Sequence, residues 1–273
     1  MSAADAQPTV PQPEWAPAAP PKRPRRSAWP WIVAAVIVAA LAVAAWFAAE
    51  WIARMVVENT IRSQVVTNLA LPADQPMDVV VEGAVLPQLI AGSLDQVTIS
   101  SEDVPLDAAS GDVTMVIEGL PIRGGLEADA ATATLRLDEA QLRDLMSTVD
   151  GFPADSLGLA DPNVTIATEL KLLGVGFPVG VALTPSAAEG DIVLTPAGLQ
   201  LAGAEIAAAD LKDRFGRIAD AVLRPWTVCI AQYIPAGVVL DSVAVDGDHL
   251  VADLDIDGAI IADTALQENG TCA

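Results

Sequence analysis

Few side chains in this sequence have the chemistry of a catalytic centre. His249 is the single histidine among 273 residues, and it follows Asp246 and Gly247, a pair typical of a tight turn between two strands. A catalytic histidine needs a nucleophile and an orienting acid beside it, and no sequence motif supplies them here. The sequence also lacks nucleophile-elbow, P-loop and dinucleotide-binding motifs. We therefore interpret His249 as an exposed hairpin residue and expect no catalytic residues.

The C-terminal region contains one local match to a calcium-binding loop. Asp253, Asp255, Asp257 and Gly258 have the D-x-D-x-D-G spacing, but Thr264 occupies the twelfth position, where a bidentate glutamate normally completes the site. Apolar residues alternate with the three aspartates, so the same segment fits a strand with one solvated acidic face. We expect the strand, with no metal ion and no cofactor.

The two cysteines, Cys229 and Cys272, both lie near the C-terminus. In an oxidising compartment the pair is typical of one disulfide. Closing a loop of about 40 residues contributes roughly 3–4 kcal/mol of stability in the chain-entropy model. The alternative is a metal site, but the sequence offers no further thiol or histidine ligands for it. We expect the disulfide.

One long apolar run sets the arrangement of the chain. Residues 31–49 contain no charge, and at about 1.5 Å of rise per residue such a run just crosses a hydrocarbon core of about 30 Å. Four basic residues lie within 22–26, and Glu50 follows the run. We predict one transmembrane helix over residues 29–49. The positive-inside rule then places the N-terminus in the cytoplasm and residues 50–273 on the extracytoplasmic side.

Two alternatives remain for this apolar run. A cleaved signal peptide is one, with residues 42–44 as the small-residue cleavage site, although the basic region is long and the apolar run exceeds the usual length. A buried core helix is the other. The length of the apolar run, and the change from basic residues before it to Glu50 after it, argue against a core helix. We favour a single-pass anchor in the cytoplasmic membrane. Residues 1–28, rich in proline and alanine, are then a disordered cytoplasmic tail.

The charge of the exported part excludes one class of partner. After residue 30 the chain has ten basic and 34 acidic residues, a net charge of −24. Such a domain repels nucleic acid and anionic bilayer surfaces alike. We therefore exclude nucleic-acid binding. Any lipid affinity would have to come from burial of the acyl chains.

Hydrophobic periodicity predicts an α+β domain built on antiparallel sheet. A helix over residues 50–69 has apolar residues every fourth position, and two more helices are predicted over 138–149 and 205–224. The remaining pattern is typical of strands. The strand candidates are 79–81, 97–99, 113–117, 132–137, 163–172, 178–184, 190–195, 198–204, 238–245 and 249–257.

Between the first two strand candidates, glycines bracket a short apolar turn with the sequence Leu-Pro-Gln-Leu at 86–89. By itself this segment is typical of a packing corner between two strands. With the run 94–99 and a Pro-x-Gly element near the C-terminus, it resembles the signature of the actinobacterial LmeA-like phospholipid-binding family. The residues that carry the resemblance are Gly83, Pro87, Gln88, Gly92, Pro235 and Gly237.

The resemblance implies an envelope protein on the periplasmic side of the membrane that binds phospholipid, with the phosphatidylinositol class favoured, and that supports lipoglycan assembly. The implied fold is a curled antiparallel sheet wrapped on a long helix, similar to the tubular lipid-binding superfamily. A trough in such a fold accommodates acyl chains, at about 0.8 kcal/mol per buried methylene. Our candidates for its lining are Leu86, Leu89, Ile90, Leu142, Leu145 and Met146.

Each lining candidate has the alternative of being ordinary core. The function likewise has two alternatives to a non-enzymatic lipid-binding domain. One is a structural or interaction module of the envelope with a filled core. The other is an enzyme acting on lipoglycan or peptidoglycan through a carboxylate pair, but the many acidic residues make any chosen pair uninformative.

Overall fold

The computed structural model describes residues 29–68, 71–106, 109–123, 127–147, 153–172, 175–201, 204–216 and 223–272. The predicted tail, residues 1–28, lies outside the described residues, as do Leu69 and the ends of the two later predicted helices. Internal contacts divide the chain into two units, residues 1–46 and 47–273.

The first element is a single helix of 40 residues, α1 (Trp29–Asn68). It includes the whole apolar run, and its mean hydropathy reaches 2.7 over 18 residues. Its length and composition are sufficient to cross a membrane, which confirms the predicted apolar helix. Which side of a membrane its ends occupy stays a prediction.

Within the unit 47–273, one face of α1 packs onto the domain, as the four-residue period predicted. Val57, Ile61 and Val65 contact a buried cluster that includes Val81, which is 0 % exposed, and Leu94, which is 1 % exposed. Residues four apart lie on the same side of a helix. The helix therefore docks through one apolar stripe.

In the part of the chain that the structure describes, twelve strands form two antiparallel sheets. Their bounds are β1 Met77–Val81, β2 Ser93–Leu106, β3 Ala109–Pro121, β4 Ala130–Asp138, β5 Leu157–Ala160, β6 Asn163–Leu172, β7 Val175–Ala188, β8 Asp191–Leu201, β9 Ala204–Ala207, β10 Trp226–Val228, β11 Val238–Asp246 and β12 His249–Ile256. The first sheet has the order β1-β2-β3-β4-β12-β11. The second has the order β10-β8-β7-β6-β5, and β9 also pairs with β8.

Four further helices connect or follow the strands: α2 Val85–Ala91, α3 Glu139–Ser147, α4 Ala208–Phe215 and α5 Thr264–Gln267. The capping box predicted for α3 is present, since Asp138 Oδ1 accepts from the Gln141 amide at 2.8 Å and Gln141 Oε1 accepts from the Asp138 amide at 2.9 Å. The helix predicted to begin at 205 begins later, because 204–207 pair with β8 as a strand.

The predicted α+β class with antiparallel sheet is confirmed. Within the described residues neither sheet closes into a barrel. The helix α1 packs against the β1–β2 side of the first sheet. The finer expectation, a curled sheet wrapped on a long helix as in tubular lipid-binding proteins, stays a prediction.

Candidate functional site

A cavity of about 350 Å³ is lined by residues of both sheets and of α3. Its volume falls within the range of roughly 300–1,000 Å³ that is usual for small-molecule sites. Every lining residue has an apolar side chain. They are Leu135, Leu137, Leu142, Leu145, Met146, Leu157, Val164, Ile166, Leu183, Pro185, Ile192, Leu194, Val228, Ile230, Ile234, Leu240, Val243, Leu250, Ala252 and Leu254.

The first sheet forms one wall of the cavity because side chains alternate between the two faces of its strands. Leu135 and Leu137 of β4 face the cavity, and their partners in the register on β12 are Ala252 and Leu250. Between them, Arg136 is exposed on the opposite face. Successive side chains of a strand point to opposite faces. The alternation of apolar and polar residues therefore makes one face of this sheet entirely hydrocarbon at the cavity.

A β-bulge keeps β11 aligned with this wall. Leu240 and Val243 both line the cavity, although an odd spacing of three would place them on opposite faces of a regular strand. The register with β12 shifts between Leu240 and Ser242, which accommodates one extra residue, Asp241. The bulge restores the inward direction of Val243, which is 5 % exposed.

The predicted lining residues of α3 lie at the cavity. Leu142, Leu145 and Met146 all line it, with Leu142 buried and the other two half-buried. The capping box fixes the first turn of α3 directly after β4. The helix therefore presents its apolar stripe to the cavity from the end of a strand that also lines it.

The predicted lining residues of α2 lie elsewhere. Leu89 packs against the cluster beneath α1, Leu86 is half-buried, and Ile90 is 77 % exposed. The structure thus brings together three of the six candidates and places the other three in a separate part of the domain. The lipid-binding role of all six stays a prediction.

One wall of the cavity was not predicted from the sequence. We call residues 228–237 the cover segment, because Val228, Ile230 and Ile234 line the cavity from it. Cys229 lies between the first two and is paired with Cys272, with an S–S distance of 2.01 Å, as expected for this pair. The two aliphatic neighbours of Cys229 are the sequence signal that could have identified this wall.

The C-terminal tail holds the cover segment through its backbone. The amides of Ala236 and Gly237 donate to the carbonyls of Glu268 and Leu266 at 2.8 and 2.9 Å. A Cβ at Gly237 would lie 3.0 Å from the Cβ of Leu266, so a larger residue would push the tail away. The Pro-x-Gly element therefore serves as the junction between tail and cover segment.

The Gly-rich corner around α2 is held by backbone contacts. The side chain of Gln88, which is 6 % exposed, donates to the Glu82 carbonyl at 2.7 Å and accepts from the Asp95 amide at 3.0 Å. Gly92 ends the helix at φ +96°, a conformation that favours glycine. These motif residues build the β1–α2–β2 corner.

Glu50 and Arg54 attach α1 to this corner. The Glu50 carboxylate accepts from the amides of Leu86, at 3.0 Å, and Val85. Arg54 donates to the carbonyls of Val81 and Gly83, the latter at 2.6 Å. The two amide donors, led by Leu86, hold the pKa of Glu50 below its ordinary value against the opposing effect of burial, and Arg54 adds to them.

The residues first considered for chemistry have structural contacts. His249 lies 2.7 Å from the exposed carboxylate of Asp248 in a hairpin. Asp253 accepts hydrogen bonds from the hydroxyls of Thr134 and Ser242, both at 2.8 Å. Among the described residues, no three His, Cys, Asp or Glu side chains are grouped to hold a metal ion.

A scan against protein-family models matches the family described as LmeA-like phospholipid-binding over residues 44–255. The comparisons with curated proteins and with solved structures give no match. The matched range includes every residue that lines the cavity. It also includes the corner around α2 and the Pro-x-Gly element. The chain therefore belongs to the LmeA-like phospholipid-binding family.

Proposed function

We propose that this protein is a membrane-anchored phospholipid-binding protein whose cavity holds the acyl chains of its ligand. The observation that carries the proposal is the lining of the cavity, twenty apolar side chains contributed by two sheets, α3 and the cover segment. Family membership supports phospholipid as the ligand. The proposal needs no reactive side chain.

Burial of hydrocarbon supplies the affinity in this proposal. Each buried methylene contributes about 0.8 kcal/mol, so a dozen contribute about 10 kcal/mol before the entropic costs of association. This term does not depend on surface charge. A domain with a net charge of −24 after residue 30 can therefore bind a lipid whose headgroup stays in solvent.

We place the protein as a single-pass anchor with the domain on the extracytoplasmic side. The length and hydropathy of α1 support the anchor, and the four basic residues before the apolar run support this orientation. Phosphatidylinositol-type lipid and a role in lipoglycan assembly are the finer parts of the proposal. They rest on the resemblance described from the sequence.

A structural module with a filled core is the competing function. Protein interiors pack to a density that leaves few voids larger than a water molecule. A cavity of about 350 Å³ favours a binding protein over such a module.

A cavity-filling substitution tests the proposed function. Ala252 lines the cavity from β12, and Ala244, on the neighbouring strand β11, is exposed on the other side. We expect Ala252→Phe in the full chain to lower the phospholipid that co-purifies from a lipid-containing host, since the phenyl ring occupies acyl-chain space. Ala244→Phe is the matched control and is expected to retain the wild-type amount.

Lipid extraction with mass spectrometry of the detergent-purified protein measures both variants, and thermal unfolding confirms that they fold. Equal lipid content in the two variants, or no stoichiometric lipid in the unsubstituted chain, would argue against the proposed function.

A further inference from the structure

The paired strands of the first sheet define two ends of that sheet. Arg54 of α1 binds the carbonyl of Val81, and Arg62, two turns later, binds the carbonyl of Met77. The helix therefore runs along β1 from its last residue to its first. We call the end at Val81 the proximal end. It is marked by one row of paired residues, Val81, Val97, Ile117, Ala131, Ile256 and Val238.

Large apolar side chains are exposed beyond the proximal end. Ile90 in α2, after β1, is 77 % exposed, and Ile122, after β3, is 41 % exposed. Tyr233, in the cover segment before β11, is 73 % exposed, and Ile261, after β12, is 50 % exposed. All four belong to segments that enter or leave the sheet at the proximal row. Their shared position at one end of the sheet makes them a candidate interaction surface.

The opposite end of the first sheet has a different surface. Among the described residues of α3 and of the β11–β12 turn, no large hydrophobic side chain is exposed. Acidic residues occur beyond both ends, for example Asp248 at the β11–β12 turn and Asp263 after β12. Charge therefore does not distinguish the two ends of the sheet.

The order of segments along the chain indicates which partner this surface contacts. Glu50 is the first residue after the predicted membrane segment, and its carboxylate binds the first two amides of α2 at the proximal end. The proximal end is therefore close, along the chain, to the predicted membrane segment.

The cover segment connects this surface to the cavity. Ile230 and Ile234 line the cavity, while Tyr233 between them is exposed. The segment leads into β11 at Val238, in the proximal row. One short stretch of chain thus has its aliphatic side chains in the cavity and its aromatic side chain on the apolar surface.

We infer that the proximal end is a bilayer-contacting surface, and that phospholipid passes between the anchoring bilayer and the cavity at the cover segment. This inference rests on the proposed function. Ile90, Ile122, Tyr233 and Ile261 enter the interfacial region of the membrane, where burial of their apolar surface stabilises the contact. The partner is the phospholipid bilayer itself, since Glu50, which binds α2 at this end of the domain, directly follows the predicted membrane segment in the chain.

Photo-crosslinking from single positions tests the contact. We would place a benzophenone amino acid at Ile90, at Tyr233 and, as the control, at Asp248, in the full chain reconstituted in vesicles of phosphatidylcholine and phosphatidylglycerol. We expect phospholipid adducts at the first two positions and at least about fivefold fewer at the third, because a benzophenone reacts with groups in direct contact. Equal yields at all three positions, or adducts mainly to a second protein copy, would overturn the inference.

Lipid uptake separates this inference from the proposed function. We expect the double variant Ile90→Asp with Tyr233→Asp to take up labelled phosphatidylcholine from its own vesicle about tenfold more slowly, with the same final amount bound. Val80→Asp is the control, because Val80 is exposed on β1 rather than beyond its end. Unchanged uptake in the double variant would refute the inference alone, whereas no bound lipid in any protein would refute the proposed function.

Discussion

Glu50 and Gln88 are two polar side chains that hold the same corner of the domain. Glu50 accepts from the amides that begin α2, and Gln88 joins the carbonyl of Glu82 to the amide of Asp95. Helix ends and strand ends leave such backbone groups without partners in their own segment. Both residues therefore have a folding role, and for Gln88 this role accounts for the presence of a polar residue in the motif.

A substitution that removes the charge of Glu50 but keeps the shape of its side chain tests the role of this residue. Its pKa is lowered in the folded protein, so its contribution to stability is present at neutral pH, above its unfolded pKa, and is lost as the pH falls through the folded pKa. We expect Glu50→Gln to lower the unfolding temperature at neutral pH. We also expect the difference from wild type to shrink on acidification. Thermal unfolding across the acidic range, followed by circular dichroism, measures both effects.

The control is Glu58→Gln, which removes another carboxylate of α1 whose partner is Arg54 at 3.9 Å. An ion pair of this length at the surface, with both side chains partly open to solvent, contributes little. A pH-independent effect of Glu50→Gln, or the same effect at Glu58, would contradict the role assigned to Glu50.

At the scale of helices and strands, segments with a clear hydrophobic periodicity were predicted correctly. β4 and β12 were recognised because one face of each is apolar and the other polar, and α3 was recognised from its capping box and apolar stripe. The structure merges the candidates 190–195 and 198–204 into β8, because alternation alone does not distinguish a β-bulge or proline in a strand from a break between two strands.

The local sequence pattern did not show which part of the domain a given apolar face packs against. The short helix α2 has an apolar face that fits either a ligand trough or a neighbouring helix, and Leu89 packs with the cluster beneath α1. The cover segment has no periodic signal, because β10 is three residues long and the lining residues Ile230 and Ile234 flank a short 3-10 turn. Its position at the cavity depends on long-range pairing and on the disulfide.

Removing the disulfide tests the cover segment as an element. The pair Cys229–Cys272 spans 43 residues, and the chain-entropy model gives roughly 3–4 kcal/mol for a loop of this length. We expect the double variant Cys229→Ser with Cys272→Ser to lose stability by up to about that amount and to exchange amide hydrogens faster at 234–238. Hydrogen exchange with mass spectrometry makes the measurement, and the amides of the β3–β4 pairing serve as the internal control. Unchanged exchange across 234–238 would show that the tail's hydrogen bonds suffice.

At the scale of the whole molecule, three separate features agree with one function. The chain has an apolar helix long enough to cross a membrane, a cavity lined by hydrocarbon and a family match over residues 44–255. The chain after residue 30 has a net charge of −24, so in the proposed function hydrocarbon burial rather than surface charge provides the affinity. Together these features agree with the proposed function of a membrane-anchored phospholipid-binding protein.

The most direct test of this account is native mass spectrometry of the full chain, released from detergent micelles after purification from a lipid-containing host. We predict a main species with the mass of the protein plus one phospholipid, and identification of that lipid after extraction. The bound mass should persist under conditions that remove detergent, since in this account the acyl chains lie in the apolar cavity. A protein that carries no lipid, and remains so after incubation with phosphatidylinositol vesicles, would contradict the account.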